Sequence, residues 1–336
     1  MHRKLAILLA TALVALAAPA HAESVKVGIS KLLGYPGVPI GVARGYFKAE
    51  GIDVEMDYFD SAQPIAVGVA SGATDFGVAG LSASFYTLAS HGELRLIASS
   101  GGEHAGFHNL AYLVSPKAYE AGVTSPKDFA GHTVAITQLG TSLHYSIARA
   151  AEKFGYPLSA VTVRPLQSNT NVIAALGGST VDAAVMPGSP SLAALAKGSA
   201  KLAGWVSDVA PDFSTGSALF TRTEIANGKG DLVKRFLVAY RHGLRDFHNA
   251  FVAKDGTETQ GPEAPAVLKI MSDFTGLPPE QLTKAIPYVD GEGRISTADV
   301  ERQIDWYKSQ NLLKGEVKAD ALIDGRYALP LVASAR

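Results

Sequence analysis

The chain has 336 residues, 47% of them hydrophobic, with 30 Lys and Arg against 31 Asp and Glu. That length accommodates two lobes of ordinary domain size and the apolar fraction suits a globular α/β protein, while near-zero net charge with scattered basic residues excludes nucleic acid or an anionic membrane surface as main partner. There is no cysteine, which removes disulfides, thiolate metal sites, a cysteine nucleophile and a lipidated cysteine anchor.

The first residues read as an export signal. Met1, His2, Arg3 and Lys4 form a basic start, residues 5–18 an apolar run, and Ala20-His21-Ala22 a small-x-small cleavage site. The run is shorter than the ~20 residues that a spanning helix needs, and no comparable run follows. Residues 1–22 are therefore expected to be a cleaved signal peptide, and the mature chain a periplasmic monomer with no stable membrane insertion.

From Val25 short β-rich runs alternate with amphipathic segments, the pattern of a mainly parallel sheet with crossover helices. A strand is predicted over residues 25–29, followed by the turn Gly34-Tyr35-Pro36-Gly37 and a helix over 39–50 that Gly51 stops. A strand over 54–59, a helix over 64–71, a strand over 75–79, a helix over 82–90 and a strand over 94–99 continue the series. Residues 109–114 are strand-like and end at Ser115-Pro116, after which a second series begins. It comprises a strand over 132–137, a helix with Leu143, Ile147, Ala151 and Phe154 on one face, a strand over 161–166, a helix over 171–176 and a strand over 181–186.

A strand-like run over 218–221 precedes a long amphipathic helix over 231–253. The remaining chain, with helices near 264–275 and 297–311, has too few strands for a sheet of its own and is expected to pack on the first lobe. The chain then crosses between lobes near residues 112–116 and 206–218, and the paired segments form a hinge. Lobe 1 is expected to comprise residues 23–113 and 217–336, and lobe 2 residues 114–216.

Four stretches in this order carry a family resemblance: Ala43-Arg44-Gly45-Tyr46-Phe47-Lys48-Ala49-Glu50-Gly51-Ile52-Asp53-Val54, Ala70-Ser71-Gly72-Ala73-Thr74-Asp75-Phe76-Gly77, Asp128-Phe129-Ala130-Gly131-His132-Thr133-Val134-Ala135 and Gly177-Gly178-Ser179-Thr180-Val181-Asp182-Ala183-Ala184-Val185. Together they resemble the periplasmic solute-binding proteins of nitrate, sulfonate, taurine and thiamine-precursor ABC transporters. The resemblance implies a type II periplasmic binding fold, two α/β lobes closing over one small-molecule solute, and delivery of that solute to an ABC transporter permease. It does not name the solute.

Ligands of open α/β sheets lie beyond the carboxyl ends of the strands. That rule selects Gly34, Tyr35, Ser61, Gln63, Gly80, Leu81 and Ser82 from the first series and Gln138, Gly140, Thr141, Ser142, Met186, Pro187 and Gly188 from the second. Gly140-Thr141-Ser142 is the leading element, because free amides and the positive helix end there would hold an anion without a formal cation. The plainer role for Thr141 or Ser142 is a helix cap. Ser61 and Ser82 open helices by the same logic, Gly80 suits a close backbone approach or a plain turn, Tyr35 would stack on or hydrogen-bond the solute, and Met186 would wall the pocket or fill core.

Between the two series, Gly102-Glu103-His104-Ala105-Gly106-Phe107-His108-Asn109 offers a histidine, chiefly His108, or Asn109 to the cleft as a hydrogen-bond partner; its two imidazoles could also bind zinc, but a third ligand is not visible. Nucleophile-elbow, zinc-hydrolase, phosphate-loop and dinucleotide motifs are all missing. The expected function is thus capture of a small anion by a protein with no enzymatic activity, cofactor or metal. The alternatives are a neutral heteroaromatic ligand such as a thiamine pyrimidine precursor, or a secreted metal-dependent enzyme.

Overall fold

The structure is a computed structural model that describes residues 22–331. Residues 1–21, which carry most of the expected signal peptide, lie outside the described residues. The described strands run β1 (Glu23–Ile29), β2 (Ile52–Tyr58), β3 (Phe76–Gly80), β4 (Leu94–Gly101), β5 (Leu110–Val114), β6 (Thr133–Ile136), β7 (Thr162–Pro165), β8 (Ala183–Pro187), β9 (Lys201–Trp205) and β10 (Ser217–Arg222). They build two five-stranded sheets ordered β2-β1-β3-β10-β4 and β7-β6-β8-β5-β9.

The two sheets share one plan. β1 lies parallel to β2 and β3, and β6 lies parallel to β7 and β8. β10 runs antiparallel to β3 and β4, as β5 does to β8 and β9. Each sheet thus receives its antiparallel strand from chain that has just left the other sheet. The plan extends to side chains: Asp75 Oδ2 accepts from the Lys26 amide at 2.9 Å, and Asp182 Oδ2 accepts from the Thr133 amide at 2.9 Å. In both lobes a carboxylate at the head of the third strand pins the start of the first, which explains why an aspartate recurs in the two motifs.

Chain crossings differ from expectation at one point. Residues 110–114 pair with β8 and β9, so β5 belongs to the second sheet and the first crossing is residues 102–109 rather than 112–116. Every residue of β5 is buried, and an unbroken apolar run has no face by which local sequence could assign it to one sheet. At the second crossing Val206, Val209, Ala210 and Phe213 still pack in the second lobe's core, leaving residues 214–216 to span the gap.

Other differences are local. The helix expected over 39–50 is two helices, Gly37–Ala43 and Tyr46–Ala49, separated by Gly45 with φ 75°. Strand β9, at a sheet edge with Lys201 and Leu202 exposed, and helix Gly188–Ala196 were not legible as elements. The C-terminal helices pack as expected. Helices Gly230–Phe251 and Ala264–Thr275 cover one face of the first sheet through Phe236, Leu244, Val267 and Met271, and helix Thr297–Ser309 covers the other through Val300, Ile304 and Tyr307.

The crossings touch each other. The Glu103 amide donates to Phe213 O at 2.8 Å, and a Cβ at Gly102 would overlap the Ser214 carbonyl. Glu103 is 1% exposed. Its Oε1 accepts from Asn109 Nδ2 at 3.2 Å, and its Oε2 has no hydrogen-bond partner among the described residues. Burial pushes this carboxyl up to about 8, with the Asn109 hydrogen bond opposing and Asp208 adding to the rise.

The raised value makes stability fall as pH rises from 4.5 to about 8, because across that window the unfolded chain releases a proton that the folded chain keeps. Glu103→Gln should remove this slope and gain about 3 kcal/mol at pH 7. Urea unfolding measured across that window checks the prediction; parallel wild-type and variant curves would contradict it.

Candidate functional site

The carboxyl ends of the parallel strands in the two sheets face each other across a cleft, which holds about 760 Å³ of atom-free space counted to its mouth. That figure includes open solvent, and the space closed off between the lobes is far smaller. Ser30 follows β1, Ser61 follows β2, Gly80 ends β3, Thr137 follows β6, Asn169 follows β7 and Pro187 ends β8, and all six line the cavity.

Three helices begin on this cavity without a side-chain cap: Ala62–Ser71, Ser142–Phe154 and Gly188–Ala196. Ser61 and Thr141 occupy N-cap positions, but neither hydroxyl accepts from its own helix; Thr141 Oγ1 instead donates to Gln138 O at 2.8 Å. First-turn amides of a helix have no partner within it. The Gly188 amide is taken by Asn109 O at 2.7 Å, and Pro64 and Pro190 have no N–H, so the remaining first-turn amides and the positive helix ends lie around one space. A fourth helix, Asn169–Gly177, does carry a cap, from Ser168, yet Asn169 Oδ1 is buried at the cavity with no partner among the described residues.

Formal charge is sparse here. No Lys or Arg is among the lining residues, and Asp60, exposed at the mouth, is the one carboxylate. Arg149 pairs with Glu152 and Asp212, and Arg164 donates to Thr180 O, so both are engaged away from the cavity. Burial lowers the pKa of the His108 imidazole, with Asp208 opposing. Burial holds His144 down to about 4, so it is neutral near pH 7 and accepts the Gly140 amide at Nδ1. Burial raises the Tyr35 phenol, so it remains protonated.

Of the residues selected from sequence, Gly34, Tyr35, Ser61, Gly80, His108, Thr141, Ser142, Pro187 and Gly188 line the cavity. Six others do not. Leu81 is buried in the first lobe's core and its carbonyl accepts from the Tyr307 hydroxyl. Ser82 is fully buried, and its Oγ accepts from the Phe85 amide, so it serves as a cap. Met186 lies wholly in the second lobe's core. Gln63 reaches across to Leu139 O at 2.7 Å. The Gln138 carbonyl holds Thr141. Gly140, with φ 69°, gives its carbonyl to the Ala83 amide at 2.8 Å and so joins the lobes.

Sequence reasoning passed over Ser30, Thr137, Asn169 and Ser217, all of which line the cavity, as does Asn109, offered from sequence as an alternative to a histidine of its segment. The carboxyl-end rule would have found Ser30 and Thr137, which directly follow parallel strands, and Asn169, which opens the helix after β7. Ser217 follows the second crossing, so only the assembled hinge brings it in. The segment holding His104 and His108 is not helical: His104 stacks on Tyr288 with ring centroids 4.4 Å apart, and His108 lies 4.6 Å from the Trp205 ring. Among the described residues no group of three or more His, Asp or Glu is placed to hold a metal ion.

The lobes are closed on each other. Besides the Ala83–Gly140 bond, the Leu33 amide donates to Ser189 Oγ at 2.9 Å. A Cβ at Gly80 would lie 2.7 Å from Ser142 Oγ, and one at Gly34 2.7 Å from Asn109 Oδ1. Only glycine permits approaches this close.

No curated protein matches the sequence. Among solved structures, the fold is similar to a ligand-binding component of an ABC-type import system from Staphylococcus aureus with zinc bound, at TM-score 0.72 and 12% identity over 91% of this chain and 97% of that one. It is also similar to the periplasmic aliphatic sulphonate binding protein SsuA from Escherichia coli, at TM-score 0.69 and 16% identity over 94% and 95%. The periplasmic nitrate-binding protein NrtA from Synechocystis PCC 6803 aligns at TM-score 0.71 and 12% identity over 89% and 84%. These likenesses show the two-lobed periplasmic binding protein fold. The NMT1/THI5-like family matches residues 36–250, a span that includes strands of both sheets and most of the cavity, and the chain belongs to that family.

Proposed function

We propose that this protein is the periplasmic solute-binding component of an ABC importer, exported by residues 1–22 and delivering a small, singly charged anion to a permease. The observation that carries the reading is the convergence of three uncapped helix starts on a hydroxyl-lined cavity that no Lys or Arg lines. Backbone amides there satisfy an oxyanion at little reorganisation cost, because the fold already aims them. Asp60 at the mouth would repel a second negative charge, which favours a sulfonate, nitrate or carboxylate over sulfate. The sulfonate- and nitrate-binding proteins that share the fold support this class of ligand.

A stacked neutral heteroaromatic is less well supported. Tyr35 is the one aromatic ring besides His108 among the lining residues, and Phe107 is buried in the first lobe's core instead. No bond of the solute need break: the proposal is binding and release, driven by closure and opening about the two crossings.

A thermal-shift panel of alkanesulfonates, nitrate, carboxylates, sulfate and neutral pyrimidines tests the ligand class. At ~1,000 times its dissociation constant a bound solute adds about 4 kcal/mol of stability. Stabilisation by a monoanion is expected; a response only to neutral pyrimidines, or to sulfate above all monoanions, would refute the assignment.

Gly80→Ala tests the closure geometry. The added methyl must displace Ser142 Oγ, so affinity for the best solute should fall about tenfold with little change in the solute-free melting temperature. Isothermal titration calorimetry reads the first quantity and calorimetric scanning the second. Unaltered affinity would show that Ser142 and the close approach at Gly80 play no part.

A further inference from the structure

A second groove lies between the lobes, lined by Tyr145, Arg149, Asp212, Arg302 and Trp306, and shares no lining residue with the cavity. One wall is helix Thr297–Ser309. Its buried face is fixed to the first lobe and to the second crossing: the Thr215 amide donates to Asp299 Oδ2 at 2.7 Å and Gln303 Nε2 donates to Thr215 O at 3.0 Å. Its other face meets the second lobe. Arg302 Nη2 donates to Asp212 O at 2.8 Å and lies 3.2 Å from Asp212 Oδ2, while Arg149 Nη2 lies 3.0 Å from Asp212 Oδ1. One carboxylate thus gives an oxygen to an arginine from each lobe.

Beside this pair, Trp306 packs against the cores of both lobes. Its ring lies 5.1 Å from His144 at 86° and 5.2 Å from Tyr145 at 56°. Those two residues belong to the start of the helix whose Thr141, Ser142 and Leu143 line the cavity. Clasp and cavity therefore grip opposite sides of the same helix start, and separating the lobes would pull Trp306 from His144 and Tyr145.

We propose that Trp306 and the Arg302–Asp212–Arg149 cluster form an external clasp that biases the lobes toward closure, and so sets solute affinity without touching the solute. The link to affinity rests on the binding function proposed above; the bias itself is a property of the protein with no solute added. An exposed ion pair contributes little alone, whereas an edge-to-face aromatic contact adds to the area it buries. Trp306 accordingly carries the larger share.

The chain has two tryptophans, so Trp205→Phe leaves Trp306 as the sole fluorophore. In that background, with no solute added, Arg302→Gln and Asp212→Asn should each shift Trp306 emission to longer wavelength and raise its quenching by acrylamide. Small-angle scattering should show expansion, with the closed population reduced roughly threefold. Trp306→Ala, followed by scattering alone, should reduce it roughly tenfold. If Trp205→Phe fails to fold, 5-fluorotryptophan labelling of the unsubstituted Trp205 background resolves both rings by fluorine NMR.

Unchanged scattering in all three variants, with unchanged emission in Arg302→Gln and Asp212→Asn, even with a lowered melting temperature, would overturn the clasp and leave these residues merely structural. The same outcome alongside solute-induced compaction of the wild type would overturn the clasp while sparing the binding function. Expansion of the variants with no wild-type response to any solute would support the clasp and sink the binding function.

Discussion

The constraint on which this molecule turns is that helix starts cannot satisfy their own first amides. In each sheet the parallel strands deliver their carboxyl ends to one edge, and the helix that follows begins there. Because the sheets share one strand order and face each other, helices from both lobes start on a common space. Closing the lobes withdraws these donors from bulk water, and a buried donor without a partner costs about 1–3 kcal/mol. The fold thus creates a demand for an acceptor at a site whose shape it also defines.

Everything around that space is built to permit closeness. Gly80 leaves room for Ser142 of the facing lobe and Gly34 for Asn109 of the first crossing, and Gly102 lets the two crossings touch. Closure is held by bonds made by backbone and short side chains, Ala83 to Gly140 and Leu33 to Ser189, rather than by charge within the cavity. His144 illustrates the economy of this arrangement: buried and neutral, it accepts the Gly140 amide on one side and meets Trp306 on the other. Potential in the cavity then comes from oriented amides, whose partial charges need no counterion.

Much of this was legible in the sequence, for identifiable reasons. Periodicity and turn residues marked most elements, since alternating strands and one-sided helices leave a local signature; helix Ala264–Thr275 was read to its ends. The carboxyl-end rule reached Ser61, Gly80, Thr141, Ser142 and Pro187 because it depends on topology alone. It overreached at Leu81, Ser82 and Met186, where the next residue along a strand or turn points back into core, a choice made by packing. What stayed hidden depends on distant chain: the sheet to which β5 belongs, the arrival of Ser217 at the cavity, and the meeting of Arg302 with Asp212, residues far apart in sequence that no spacing rule connects.

The central claim, that uncapped main-chain amides hold the solute, is tested most directly by amide NMR on the nitrogen-15-labelled protein during titration with the anion that stabilises it best. The account predicts that the first-turn amide protons of helices Ala62–Ser71, Ser142–Phe154 and Gly188–Ala196, apart from that of Gly188, which Asn109 O holds, move downfield together and saturably. Saturable binding that leaves those resonances in place, and perturbs side-chain or remote signals instead, would contradict it.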